Sequence, residues 1–350
     1  MTKSLAEVHP ELFHYTDAKG LMGIIESQSI RATDYRYLND STEIKFFLQD
    51  CLPDFLRPIS EEYLDELIAQ NSKAQLLINQ QGDREKIISS YIRDTLDATE
   101  KILLGSQNPE DALAEPYIVS FCTAPKSDDP FHERVRKHGL LSQWRGYGRD
   151  GGYALVFDTE RLTKLVLEDI GKKWGSHLYL FIGDVVYSSD PDSKFLEEFK
   201  QDIDVINKFD FNHLRGIEDK GILEKYFHSL LRCACRYKHW GFREENEVRI
   251  VAIPYASKNE EFREITKTEG MNVPEITRKH FLRSGTLMPF IDLFEGVTSE
   301  PNKLLPIKQI IVGPTVSTQE KIRRINAVKM LIDQHNIKAE VTASEIPFVG

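Results

Sequence analysis

Short apolar runs alternate along the chain with long stretches whose apolar residues recur every three or four positions. The runs at 12–16 (Leu-Phe-His-Tyr-Thr), 116–122, 152–158, 178–187, 247–253, 307–312 and 337–342 have the length and the β-branched or aromatic content of strands. Helical spacing follows the first run directly. Thr16 or Asp17 is placed to cap that helix, and Leu21, Ile24 and Ile25 form its apolar face. Asn39 to Glu43 opens another helix, where Asp40 followed by Glu43 resembles a capping box. The segment 58–105, rich in Glu, Lys, Gln and Leu, predicts one or two amphipathic helices, read as an insertion. Residues 193–239, with Phe195, Phe199 and the run Leu223 to Tyr237, predict further helix. Ser317 with Glu320 predicts a capped helix to about residue 334. Pro125 to Gly139 reads as a long polar loop, followed by the aromatic and glycine-rich Leu140 to Gly148. Strands thus outline a core with helices hung between them. The expected fold class is α+β, in one compact unit spanning 1–350 with helical insertions at about 58–105 and 193–239.

Composition agrees with that picture. The 350 residues are 41% hydrophobic and 29% charged, a globular balance with enough apolar mass to fold without staples. The formal net charge of −10 predicts no general attraction to nucleic acid or anionic lipid. The cations of Arg243 to Arg249 and Lys321 to Arg324 read as solvated faces. Cys51, Cys122, Cys233 and Cys235 are too few and too irregularly placed for a disulfide framework, and read as reduced packing residues. There is no basic-then-apolar leader and no apolar run of about 18 residues, so a cytoplasmic protein with no membrane partner is expected.

Three segments carry candidate chemistry. In a strand starting near Glu245, alternation puts Val248, Ile250 and Ala252 on the core side and Glu245, Glu247 and Arg249 on the other. That column is either a solvent-facing salt-bridged face or a site with one working carboxylate oriented by the arginine. His14-Tyr15-Thr16, just before a helix, either presents ring nitrogens and backbone N–H groups to a ligand or packs as a hydrogen-bonded core histidine. Trp144-Arg145-Gly146-Tyr147-Gly148 suits stacking on a flat ring, or forms an Arg–aromatic packing cluster in a loop. The glycines between Gly146 and Gly152 lack the strand–turn–helix context of a dinucleotide loop, and no phosphate loop, H-E-x-x-H or G-x-S-x-G motif occurs. No carboxylate spacing predicts a metal, although Asp128-Asp129 and Asp40 with Glu43 could be assembled in space.

These segments carry a resemblance. Phe13 to Thr16 with Gly23 to Ser27, Leu38-Asn39-Asp40 with Glu43, Ser120-Phe121-Cys122 and Gln143 to Gly148 resemble the bacterial domain-of-unknown-function 2971 family. So do Gly152 to Asp158, Glu245 to Arg249, Ile310 to Gly313 and Ser344 to Phe348, all in the family's order. More distantly the chain is similar to ADP-ribosyltransferase domains. Those have a His on a first strand, a Ser or Tyr on a middle strand (here Ser120, Tyr147 or Tyr153) and a late Glu-x-Glu (here Glu245-Asn246-Glu247). The turn after the first helix, Ile24 to Ile30, lacks that fold's usual glycine.

The resemblance implies split, bent mixed sheets gripping NAD in a central cleft. NAD would be substrate rather than resident cofactor, and an unknown protein, nucleic acid or small molecule would accept ADP-ribose. It implies that Glu247 stabilises the oxocarbenium-like ribose and that Glu245 acts as general base. His14, Tyr15 and Thr16 would anchor NAD, Tyr147 or Trp144 would stack on nicotinamide, and Arg145 or Arg249 would meet the pyrophosphate or fix a glutamate. The family's bacterial character adds the expectation of a toxin or phage-defence effector. The competing expectations are a non-catalytic nucleotide- or partner-binding module of the same fold, and a nuclease or hydrolase.

Overall fold

The computed structural model describes residues 3–38, 43–70, 84–104, 115–124, 129–148, 151–174, 179–188, 199–214, 220–254, 276–283, 285–300 and 303–347. Among the expectations above, those on Asp40, Asp128, Phe195 and Phe348 lie outside these residues.

In chain order the elements are α1 (Leu5–Val8), β1 (Glu11–Thr16), α2 (Ala18–Ser27), β2 (Ile30–Asp34), α3 (Glu43–Phe46), α4 (Leu52–Gln70), α5 (Arg84–Leu104) and β3 (Tyr117–Thr123). There follow α6 (Pro130–His138), α7 (Leu141–Tyr147), β4 (Tyr153–Asp158), α8 (Thr159–Asp169), β5 (Tyr179–Asp184), β6 (Val186–Tyr187), α9 (Lys200–Leu214) and α10 (Lys220–Ala234). The last are β7 (Tyr237–Lys238), β8 (Glu247–Ile253), β9 (Lys279–Arg283), β10 (Thr286–Leu293), α11 (Glu295–Thr298), β11 (Ile307–Val312), α12 (Thr318–Gln334) and β12 (Glu340–Ala343). Local chemistry sets several boundaries. Asp17, not Thr16, caps α2 by accepting from Gly20 N at 2.7 Å. Ser317 caps α12 through Glu320 N at 3.1 Å.

The fold is mixed α/β, built on a mixed open sheet with helices. β3 is its axis. One edge of β3 pairs with β8, from Tyr117↔Ala252 to Cys122↔Glu247. The other edge is shared. Its C-terminal end pairs with β1 (Leu12↔Thr123, Phe13↔Cys122) and its N-terminal end with β2 (Thr33↔Ile118, Asp34↔Tyr117). The sheet therefore forks at Val119–Phe121. One arm continues through β1, β4, β11 and the parallel β12, the other through β2, β10 and β9, while β5 extends the sheet beyond β8.

Residues opposite one another in antiparallel strands share a face. One face is a continuous core: Leu12, Phe121, Val248, Ile250 and Ile291 pack under α2, α8 and α12. Among the described residues the other face is covered at two places. Helices α4, α5, α9 and α10 seat Leu52, Leu56, Ile88, Ile206 and Leu230 over Ile118, Val251 and Ile253. Trp144 of α7 and Val135 of α6 pack with Phe13, Tyr15, Ala154 and Ile311. Between the two patches the fork stays uncovered, and that gap becomes the cleft.

The structure corrects several sequence expectations. The loop expected over Pro125 to Gly139 contains α6, and the aromatic segment after it is α7, not a loop. Tyr237 and Lys238 leave the predicted helical run and pair as a strand with Val186 and Tyr187. The strands β2, β9 and β10 and the helix α8 are additional to the expected elements. Among the described residues no helix is long and apolar enough to cross a membrane, and no His, Cys, Asp and Glu group could hold a metal ion.

Candidate functional site

The cleft at the fork has a volume of about 290 Å³. Its floor is the uncovered sheet face, its walls are α7 and the 3₁₀ turn Trp240–Glu245, and its far end is the arm of β2 and β9.

His14 enters it by an irregular route. Alternation assigns His14 to the same face as Leu12, the core side. Because β1 leaves β3 after Phe13, the imidazole fills the wedge between them, and its Nδ1 lies 3.1 Å from Ser120 O. A carbonyl only accepts, so Nδ1 carries the proton and Nε2 is left as an acceptor. Burial pulls the His14 pKa below its ordinary 6.5 more strongly than the Ser120 carbonyl raises it. The ring is therefore a neutral hydrogen-bond acceptor.

The acidic pair is assembled from two conformations. Glu245 ends the 3₁₀ turn, Asn246 takes a left-handed backbone (φ 42°), and Glu247 begins β8. The left-handed residue, not strand alternation, lets both carboxylates reach one ammonium. Lys238 Nζ donates to Glu245 at 2.8 Å and to Glu247 at 2.9 Å, and lies 3.5 Å from Glu43. Arg249 Nε donates to Glu247 Oε1 at 2.8 Å and its Nη2 to Oε2 at 3.1 Å. Arg249 Nη1 meets Glu43 at 2.6 Å and the Cys235 carbonyl at 2.8 Å. This excludes the solvent-facing reading of the column: Glu247 is 3% and Arg249 2% exposed. Burial would raise the Glu247 carboxyl, but Arg249 and then Lys238 outweigh it and bring it down to about 2. Burial also opposes the charge on Lys238, yet Glu247, Glu43 and Glu245 together raise its pKa against the pull of Arg249. Glu247 is thus a buried carboxylate that stays ionised well into the acid range.

Glu245 is less enclosed and takes a second hydrogen bond, from Gln143 Nε2 at 3.2 Å. The ring of Phe242 stands 4.7 Å from Lys238 Nζ. Tyr147 and Phe242 are partly exposed at the rim. The Cys122 thiol, also in the wall, is raised well above its ordinary pKa by burial and by Glu245 and Glu247, so it is no thiolate nucleophile.

Of the residues singled out in the sequence, His14, Tyr15, Ser120, Tyr147, Glu245, Glu247 and Arg249 line this one cleft. Tyr15 contributes apolar wall, since its hydroxyl accepts from Leu140 N at 2.8 Å. Four others stand outside, among them Tyr153, which packs in the core on the opposite side of the sheet. Trp144 is buried, donates its indole N–H to His138 O at 3.0 Å and meets the Tyr15 ring edge-on at 4.9 Å, so it cannot stack on a ligand. Arg145 is on the exposed side of α7, nearly opposite Gln143 on the helical wheel. Thr16 pairs with Tyr153 beyond the fork. Arg249 is committed to the two glutamates and a carbonyl. Sequence reasoning missed Lys238, Arg31 and Arg283, and named Glu43 only as a helix-opening motif residue and a loose carboxylate, not as a partner of Arg249. Lys238 lay inside a run of helical spacing, and nothing in a lone Arg on a strand announces a cleft.

A profile of a family described as protein of unknown function (DUF2971) matches residues 143–250. The matched stretch begins at Gln143 and includes Lys238, Glu245, Glu247 and Arg249, while β1, β2 and β3 precede it. No curated protein and no solved structure matches the chain.

Proposed function

We propose that the cleft binds NAD, breaks its nicotinamide–ribose bond and passes ADP-ribose to an acceptor. The observation that carries this reading is the convergence of His14, Glu245 and Glu247 in one cleft, from segments far apart in the chain. Their order, His first and Glu-x-Glu late, is that of the ADP-ribosyltransferases the sequence resembles. The charge states suit the step. As the C–N bond breaks, its electron pair leaves with the pyridinium nitrogen and nicotinamide departs neutral, so no general acid is needed. Positive charge develops at ribose C1, where an ionised carboxylate is stabilising. Glu247 has that charge. Glu245, hydrogen-bonded to Lys238 and Gln143 but less enclosed, is placed to take the proton of the acceptor's O–H or N–H as it attacks C1. His14 Nε2 is available to accept from a ribose hydroxyl.

One observation favours a second reading, a nucleotide-binding module without transfer. Both Glu247 oxygens are already held by Arg249 and Lys238. In that case Glu247 organises the cleft and does no chemistry.

The test is nicotinamide release from NAD by the wild type, Glu245→Gln and Glu247→Gln, with thermal melts run in parallel. Release by the wild type that falls about a hundredfold or more in folded Glu245→Gln supports transfer chemistry. NAD binding without release, unchanged in Glu245→Gln, supports the module. Neither binding nor release sinks both readings.

A further inference from the structure

The two ends of the cleft differ in charge. At the inner end Lys238 and Arg249 answer Glu43, Glu245 and Glu247. At the outer end two guanidiniums line the cleft, from Arg31 on β2 and Arg283 at the end of β9. The register explains why they converge. Arg31 is opposite Asp292, Phe290 opposite Lys279, Met288 opposite Phe281 and Thr286 opposite Arg283, so Arg31, Phe281, Arg283 and Phe290 share the cleft-facing side of this arm.

Neither arginine is consumed there. Asp292, across from Arg31, accepts from Ser29 at 3.0 Å and from Lys279 at 2.8 Å. Arg31 instead lies over the rings of Phe290 and Phe281, at 5.0 and 5.5 Å from their centroids. The two rings, tilted about 70° to each other, hold the guanidinium in a corner of the cleft, with Nη2 packed beside Gly23. Arg283 spends one N–H on Tyr37 O, at 2.6 Å. Among the described residues no carboxylate lies within ion-pair distance of either. In a chain of net charge −10 that is a specific local excess.

Planar forks held in place beside a cleft, without an anion of their own, match the oxygens of a phosphate. We infer that Arg31 and Arg283 form the anion-binding arm of the cleft and hold the diphosphate of a nucleotide ligand whose sugar end reaches His14 and the Glu245 side. The inference deepens the NAD reading of the same cleft and rests on it for the rest of the ligand. It moves the pyrophosphate contact from Arg145 and Arg249, where the resemblance places it, to the opposite arm.

The experiment is calorimetric titration of the full chain with ADP-ribose and, separately, adenosine, comparing the wild type with Arg31→Ala and Arg283→Ala. Removing a charge-assisted hydrogen bond to phosphate, as either variant does, is expected to weaken ADP-ribose binding roughly ten- to hundredfold. Adenosine binding should stay as in the wild type, and wild-type affinity for ADP-ribose should fall as salt rises. Arg31→Lys, which keeps the charge but loses the planar fork, should fall between. If Arg31→Ala does not fold, Arg283→Ala carries the test. Equal ADP-ribose affinity in the wild type and the folded variants overturns the arm, even if nicotinamide release persists. ADP-ribose binding that depends on both arginines supports it, even if release is never observed. Failure of the wild type to bind ADP-ribose overturns it outright.

Discussion

Single side chains at the fork carry packing and electrostatic duties at once. Arg249 is the clearest case, because its removal strands two buried glutamates. Breaking a buried ion pair from one side costs about 3–5 kcal/mol, so Arg249→Met should lower the urea midpoint by that equivalent. Glu247→Ala leaves Arg249 and Lys238 uncompensated in the same way. The half-enclosed Glu245 is therefore the better probe of the cleft's chemistry. Acid sensitivity follows with a definite sign. His14 is neutral when folded but takes a proton below its ordinary 6.5 when unfolded. Its contribution to stability is full above 6.5 and is lost as pH falls. Glu247, lowered from 4.5 to about 2, stabilises above 4.5, and that contribution is lost as pH falls through 2. His14→Gln should flatten the upper part of the pH–stability curve and leave the loss below 4.5 in place; unfolding midpoints across that range measure both.

Among the elements, α7 decides how the cleft is walled. Gly139, between α6 and α7, has φ 77°, and a Cβ there would come within 2.7 Å of the Trp144 ring. Gly139→Ala combines backbone strain with displacement of the indole that pins α7 to β1. A loss of about 2–4 kcal/mol is expected by urea titration, with a changed near-ultraviolet signal from Trp144. The signals for α6 were present in the sequence: Asp129 caps it, Pro130 takes its first turn, basic residues fill its last turn and Gly139 ends it. A polar surface with a single buried residue, Val135, hid it from a search for apolar periodicity. The strand 247–253 was legible in its alternation but not in its burial. All seven residues are buried because helices from distant segments cover Val251 and Ile253, while Lys238 and Glu43 close over Glu247 and Arg249. The Glu-x-Glu and the His were legible as chemistry. Lys238 was not, nor was the pairing of Glu43 with Arg249, since both roles exist only once α3, β7 and β8 meet. Arg31 and Arg283 belong to β2 and β9, whose pairing partners lie far along the chain.

For the whole molecule, the helices at 52–70 and 84–104 are more than an appendage to the sheet. Leu52, Leu56, Ile88 and Ile92 share one cluster with Phe199, Ile206 and Leu230 and with Ile118 and Val251 of the sheet. Excising 52–104 with a short linker would bare that face, each fully buried aliphatic side chain being worth about 1.5–3 kcal/mol. The shortened chain is expected to lose its cooperative melt and to aggregate. A sharp melt of soluble monomer would show the helices to be dispensable.

The fork also dictates an order of assembly during synthesis. The segment bearing His14 leaves the ribosome first, and its partner Ser120 follows 106 residues later. Once β4 has emerged, β4, β1, β3 and β2 can join, but the second edge of β3 from Tyr117 to Cys122 waits for β8. Until then the nascent protein displays a bare template for strand addition, the hazard that ribosome-bound chaperones guard against. Fragments stopping between β4 and β8 should co-aggregate through that edge. No such fragment can hold the cleft, because its acidic wall and, later still, Arg283 have yet to be made.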